Sequence, residues 1–162
     1  MTTVTKLFAR KLHQQGGVPF GNTWSQRYTL ETNASGVWVD SDLATALQVA
    51  DVARLGVIPA GTELHDILEI VSDAMTAATT CGVGFAYVDG VDSTTVPQND
   101  AYFNAATTLA LNATGVTRKT AVTAPVILPK DAYLIVTLAG AAADSVMIAD
   151  FIVSGVQTGS NI

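Results

Sequence analysis

The sequence has little charge and almost no cysteine. Only 14% of its 162 residues are charged, whereas about a quarter are charged in an average soluble domain. We therefore expect much of the surface to be covered in an assembly. Cys81 is the only cysteine, which excludes an intrachain disulfide and a cysteine-rich zinc site and suits a small buried residue. No apolar run approaches the roughly 18–20 uncharged residues that cross a bilayer, so we expect no membrane contact.

Residues suited to catalysis are also scarce. Nucleophilic catalysis needs a base beside the nucleophile, and the histidines are His13 and His65. We interpret His65 as a surface residue of a strand. In a regular strand Glu63 and Glu69 face opposite to Asp66, so these acids and Asp73 form a solvated face and not a paired acid–base site. The sequence therefore predicts no enzymatic activity and no cofactor.

Metal and nucleotide motifs are incomplete. Asp89, Asp92 and Asp100 could offer oxygen ligands to calcium, but their spacing matches no EF-hand loop. Gly82 and Gly84 begin a dinucleotide fingerprint that lacks its third glycine and runs into a strand where a helix should begin. We expect neither a metal site nor a nucleotide site.

The clearest positive signal is strand periodicity. Trp24, Tyr28 and Leu30 alternate with polar residues, as in a strand with one wet face. Pro59 and Pro129 each lie between apolar runs in similar passages, and proline followed by turn-forming residues favours a tight reversal. We interpret the two passages as hairpins at corresponding corners of two packed sheets.

Other segments complete an all-β pattern. Residues 36–40, 82–90, 117–123 and 145–153 are strand candidates, and residues 43–55 are compatible with either strand or helix. Residues 91–115 are predicted to form a long loop with one helical turn near residues 104–109. About eight strands separated by turn signals are typical of a jelly-roll-like antiparallel β-sandwich. We assign residues 23–162 to that sandwich and residues 1–22, which are broken by glycines and a proline, to an extended N-terminal arm.

Charge is unevenly distributed along the chain. The first thirty residues carry four basic residues and no acid, whereas the whole chain has a net charge of −6. The basic residues lack the interleaved aromatics of a nucleic-acid surface, so we expect protein contact and no direct nucleic acid. The candidate residues for such a protein contact are Lys6, Phe8, Arg10, Lys11, Phe20 and Trp24.

A family resemblance rests on several passages together. These are the basic arm, residues 51–62 (DVARLGVIPAGT), residues 81–84 (CGVG), residues 100–103 (DAYF) and residues 128–132 (LPKDA). Together they resemble tailed-bacteriophage head proteins of the decoration, or cement, type. The resemblance implies a jelly-roll-like sandwich that forms small oligomers and binds the outside of the capsid lattice.

That resemblance sets the functional expectations. The partners it implies are the major capsid protein and further copies of the chain, as a homotrimer or homodimer. The location it implies is the exterior of a virion capsid, after synthesis in the cytoplasm of the host bacterium. The alternative is a carbohydrate- or receptor-binding sandwich module of a phage tail or fibre, which would use Trp24, Trp38 or Tyr102 on an exposed face. Trp24, Tyr28 and Trp38 could form a sugar-binding platform.

Overall fold

A computed structural model describes residues 2–5 and 23–158, and these residues form strands, turns and loops without a helix. The predicted all-β sandwich is confirmed. The strands are β1 (Thr3–Thr5), β2 (Thr23–Thr32), β3 (Val52–Ile58), β4 (Thr62–Asp73), β5 (Thr80–Tyr87), β6 (Asn99–Ala110), β7 (Gly115–Arg118), β8 (Val126–Ile127), β9 (Ala132–Ala139) and β10 (Met147–Gln157).

The strands form two sheets. Sheet 1 has the order β1-β3-β9-β5-β6, and sheet 2 has the order β2-β10-β4-β7, with the short β8 also paired to β4. Every pair is antiparallel except β1 with β3, which is parallel. Apart from β5 and β6, the strands that are neighbours in a sheet are not consecutive in the chain, as the predicted jelly-roll-like topology requires.

The core lies between the sheets and follows the period of two. On β9, Ala132, Leu134, Val136 and Leu138 are buried and the residues between them point to the other face. On β2, Tyr28 and Leu30 are buried while Arg27 is exposed, which confirms the predicted alternation.

The two proline passages are corners, but they are not hairpins. The Pro59 turn connects β3 in sheet 1 to β4 in sheet 2, and the Pro129 turn connects β8 in sheet 2 to β9 in sheet 1. Strands joined by each turn therefore belong to different sheets, and the hairpin interpretation is wrong.

The corners instead pair with each other. The Ala60 amide donates to Asp131 Oδ1 at 2.9 Å, and the Gly61 amide donates to the Leu128 carbonyl at 2.8 Å. Gly61 has a φ of 77°, in the left-handed region that favours glycine. The two turns thus pass side by side from one sheet to the other and close one end of the sandwich.

The predicted loop at residues 91–115 is wrong over about half of its length, because β6 occupies Asn99–Ala110. The register between β5 and β6 shifts twice, between Cys81 and Val83 and between Val83 and Phe85. Such bulges break the alternation that identifies a strand in sequence. Gly84 permits the close approach of β5 to β6, since a Cβ on residue 84 would lie 2.0 Å from the Asn99 carbonyl oxygen.

Two other predicted strands are shorter than expected. Residues 36–40 contain isolated bridges at Val37 and Trp38, because the chain turns back at Asn33, whose side chain accepts from two local amides. The candidate at residues 117–123 ends at Arg118, after which the chain crosses toward sheet 1. There the Thr120 and Ala121 amides both donate to the Phe103 carbonyl, at 3.2 and 3.0 Å.

Candidate functional sites at the arm-bearing edge and in the core

The first site is the side of the sandwich to which the predicted arm is attached. β1 pairs with β3, and the Val52 amide donates to the Thr2 carbonyl at 3.1 Å. Asp51, which is only 4% exposed, accepts from the Thr2 amide at 3.0 Å and from the Gln48 amide at 2.8 Å. The start of the chain is therefore held to sheet 1 by main-chain bonds and by a buried carboxylate.

β2 lies opposite β3 on this same side. The Tyr28 hydroxyl donates to the Val57 carbonyl at 3.1 Å. The Tyr28 ring covers Gly56 so closely that a Cβ there would lie 2.7 Å from a ring carbon. Since β1 borders β3, the end of β1 at Thr5 and the start of β2 at Thr23 lie on one side of the molecule. We call this side, formed by β1, β3 and β2, the arm-bearing edge.

Most of the predicted contact residues lie outside the described residues, and they stay predictions. These are Lys6, Phe8, Arg10, Lys11 and Phe20. Trp24 is described: it lies on β2, half-buried, and packs against the core. Of the predicted contacts, Trp24 is thus the one that the structure positions, at the arm-bearing edge.

The aromatic residues of the alternative function are mostly in the core. Trp38 is 2% exposed, Tyr102 is 3% exposed and Tyr28 is 4% exposed. The Tyr102 ring packs edge-on against Phe85 and Phe103, with centroids 5.5 and 4.8 Å away. A sugar stacks on an open aromatic face, so the expectation that Trp38 or Tyr102 lies on an exposed face is wrong.

The second site is a buried carboxyl on β4, at a position where strand periodicity predicts a solvated face. Glu69 is 1% exposed, so that prediction is wrong. Adjacent residues of β10, Ser154 and Gly155, pair with Asp66 and Leu64, which leaves His65 as an extra residue in β4. This bulge changes the parity of the strand. Glu69 therefore points into the core, whereas Glu63 and Asp66 are both on the outer side.

Glu69 connects the two sheets through amide and hydroxyl groups. Asn104 of β6, which is fully buried, donates from Nδ2 to Glu69 Oε1. Asn104 Oδ1 in turn accepts from the Thr120 amide at 2.8 Å and from the Thr120 hydroxyl at 2.5 Å. Glu69 Oε2 has no hydrogen-bond partner among the described residues. We call Glu69, Asn104 and Thr120 the buried polar cluster.

The surroundings of Glu69 favour its neutral form. Burial raises the pKa of Glu69 to about 7, against the smaller opposing effect of the hydrogen bond from Asn104. Burial, together with the nearby Glu69, also raises the pKa of Cys81. A buried thiol of raised pKa is a poor nucleophile. The cluster is thus a proton-binding group in the core, and the thiol near it is not activated.

The remaining candidate residues make ordinary structural contacts. His65 Nε2 lies 3.2 Å from Glu63 Oε1, and both side chains are partly exposed. Asp89 pairs with Lys130 at 2.9 Å, and Asp92 accepts from the Gln98 amide at 2.7 Å. Within residues 2–5 and 23–158, no group of three or more His, Cys, Asp or Glu side chains is arranged to hold a metal ion. Over the same residues, no helix could cross a membrane.

Comparisons with known proteins give a match at the level of structure. No protein-family model and no curated protein matches the sequence. A chain in the solved capsid of Ralstonia phage GP4 has a TM-score of 0.63 and 19% identity, over 98% of this chain and 100% of that chain. A chain in the acidic stable capsid structure of Helicobacter pylori bacteriophage KHP30 has a TM-score of 0.47 and 15% identity, over 82% of this chain and 88% of that chain. The predicted resemblance to phage head proteins is confirmed in the fold.

Proposed function

We propose that this protein is a virion structural component that binds the outer surface of a phage capsid and stabilises the major capsid lattice. The observation that carries the proposal is the likeness in fold to a chain of the Ralstonia phage GP4 capsid, which extends over both chains almost from end to end. Low charge supports it, because a surface poor in charge is suited to being covered in an assembly.

The arm-bearing edge supplies the mechanism in this proposal. Residues 6–22 are joined to sheet 1 through β1 and to sheet 2 through β2, and they contain three basic residues and no acid. An extended chain of this length spans roughly 55 Å, far more than the roughly 10 Å between packed sheets. The segment is long enough to reach a neighbouring subunit while both of its ends stay attached to the sandwich.

Because β1 is paired within sheet 1, the segment free to contact a capsid is shorter than the predicted arm. The sequence predicts that residues 1–22 act as one extended arm ahead of a sandwich of residues 23–162. With Thr3–Thr5 paired to β3, we propose that residues 6–22 are the part that contacts the capsid, through Lys6, Arg10, Lys11, Phe8 and Phe20. Trp24 would extend that surface on β2.

Capsid binding tests this proposal. Expanded capsids that lack the protein are mixed with the wild type or with a variant in which Lys6, Arg10 and Lys11 are replaced by alanine, and bound protein is measured by co-sedimentation. We expect the wild type to co-sediment and the triple variant to bind at least tenfold more weakly. Electron cryomicroscopy of the wild-type complex should show density on the outer surface.

A matched control separates the arm from overall charge. Arg118, Lys119 and Lys130 are basic residues of the body that lie outside β1, β2 and β3, and replacing these three by alanine removes the same charge. We expect this control to bind like the wild type. Equal loss in both triple variants would assign binding to net charge, and absence of binding by the wild type would refute the capsid role.

A further inference from the structure

The edges of the two sheets differ in how well they are protected. An edge strand exposes unpaired amide and carbonyl groups, and proteins protect such edges by keeping them short, bulging them or covering them. Among the described residues, β1 has three residues and β7 has four. β6 is long, but its register with β5 shifts twice and Phe103 accepts from Thr120 and Ala121 beyond the edge.

β2 has none of these protections along its first eight residues. It pairs with β10 through ten consecutive residues without a register shift, and residues 23–30 contain neither proline nor lysine. On its other side, the described residues provide pairing only at the far end, where the Val39 amide donates to the Glu31 carbonyl at 2.8 Å. The edge of β2 is therefore regular, long and open in this part of the chain.

The bond at Glu31 identifies which main-chain groups point outward. Because Glu31 uses its carbonyl on the side away from β10, the groups of every second residue point the same way. These are Thr23, Ser25, Arg27 and Thr29, whose side chains lie on the outer face, while Trp24 and Tyr28 lie on the inner face.

The strand is complementary to itself in one register. When two copies of β2 run antiparallel with Gln26 opposite Gln26, Thr23 lies opposite Thr29, and Ser25 lies opposite Arg27. On the inner face, Trp24 lies opposite Tyr28. Threonine pairs and aromatic pairs are favourable across strands, and each contributes roughly 0.2–1 kcal/mol.

Neighbouring registers are less favourable. Centring the pair on Arg27 places two guanidinium groups opposite each other, and like charges directly opposite are destabilising. Centring it on Ser25 aligns fewer residues and sets Trp24 against Gln26. Of the three registers, the one centred on Gln26 is thus the only one that combines seven facing residues with no like-charge pair.

We propose that β2 pairs with β2 of a second copy of this chain, antiparallel about a two-fold axis through Gln26, so that the two copies of sheet 2 form one continuous sheet. This goes beyond the proposed function, which concerns the capsid, and specifies the self-association that the family resemblance implies. It is tested on the isolated protein, so failure of capsid binding would leave it untouched. A two-fold pairing uses the same surface of both subunits.

The full-length protein is examined first by sedimentation equilibrium and then as a pair of proline variants. The wild type should have twice the mass of one chain. In Ser25→Pro the missing amide is one that points away from β10, so the β2–β10 ladder is retained and the mass should fall to that of one chain. Val116→Pro is the matched control, because the Lys119 amide bonds to Ile67 and the Val116 amide therefore points away from β4. This control should stay dimeric.

Single cysteine variants test the register even if Ser25→Pro fails to fold. Cys81 is buried, so an introduced cysteine can form a disulfide only between chains. Residues facing across a non-hydrogen-bonded antiparallel pair have Cα atoms about 4.5 Å apart, within the range that a disulfide spans. Gln26→Cys should therefore give a covalent dimer on oxidation, and Ser25→Cys and Arg27→Cys should give at least fivefold less.

The outcomes separate cleanly. A dimer that dissociates in Ser25→Pro and crosslinks best at position 26 supports the proposal. A wild-type monomer, which would follow if residues 6–22 of the same chain cover the edge, overturns it, and so does a trimer. Strongest crosslinking at position 25 or 27, or dissociation of Val116→Pro, also overturns it.

Discussion

Replacing Glu69 by glutamine is expected to remove a pH dependence from the stability of the fold. Glu69 is 1% exposed, and its Oε2 has no partner among the described residues. Its pKa is raised by burial from 4.5 to about 7. The folded protein therefore holds the Glu69 proton more tightly than the unfolded chain does, and the sign of the linkage follows.

The contribution of Glu69 is fully present below about pH 4.5 and is lost as pH rises toward about 7. A difference of roughly 2.5 pH units, at about 1.4 kcal/mol for each, corresponds to about 3 kcal/mol. Glutamine has nearly the shape of the protonated acid, and its carbonyl oxygen can accept from Asn104 as Glu69 Oε1 does. We therefore expect Glu69→Gln to match the wild type within about 1 kcal/mol at pH 4 and to exceed its stability by about 3 kcal/mol at pH 8.

The assay is urea unfolding at a series of pH values, at one fixed protein concentration because self-association shifts apparent stability. The difference between variant and wild type isolates Glu69. Hydrogen bonds lower the pKa of Asp89 and of Asp144 in both proteins, so these groups do not contribute to the difference. Parallel stability curves from pH 4 to pH 8 would refute the reasoning, since they would mean that Glu69 ionises alike in the folded and unfolded chains.

Three further changes test the packing. Gly84→Ala places a Cβ 2.0 Å from the Asn99 carbonyl oxygen and should lower the free energy of unfolding by about 3 kcal/mol, whereas Gly115→Ala, with open space around it, should change it little. Ala50→Gly should stabilise by about 0.5 kcal/mol, because relief of the strain at a φ of 69° is partly offset by the greater freedom of glycine in the unfolded chain. Tyr28→Phe removes the hydroxyl that donates to the Val57 carbonyl and should cost about 1 kcal/mol. Each value is measured by urea unfolding, and a strongly destabilised Gly115→Ala would contradict the packing assigned around these glycines.

Local patterns in the sequence predict the fold class because each is decided within a few residues. The alternation along β2 and the turn residues near Pro59 and Pro129 depend on backbone geometry alone. Pairing partners are different, because they depend on contacts between distant segments. The proline passages can be recognised as corners, but not as turns that pass between sheets and bond to each other.

The buried polar cluster escapes sequence-based prediction for a related reason. A period of two, continued from the buried Leu64, predicts that Ile67 and Glu69 lie on the outer face. The extra residue at His65 places them on the buried face instead. One signal is present, since Leu64 and Ile67 are both large apolar residues separated by an odd number of positions. That separation is typical of a bulge, and it turns Glu69 inward.

The same limit explains why assembly is harder to predict than the core. A strand with one apolar face has the same sequence pattern whether it lies within a sheet or at its edge. Alternation identifies the two faces of a strand, but not whether the main-chain groups along its two sides have a partner. Thr23–Thr32 has a regular alternation, and only the order β2-β10-β4-β7 shows that this strand has one neighbour among the described residues. Once that order is known, the lack of proline, lysine and bulges along residues 23–30 identifies an unprotected edge. Such an edge can pair with a strand of another chain. The residues that decide assembly are then those whose amides point outward, and replacing Ser25 by proline alters one such amide while the core beneath it is unchanged.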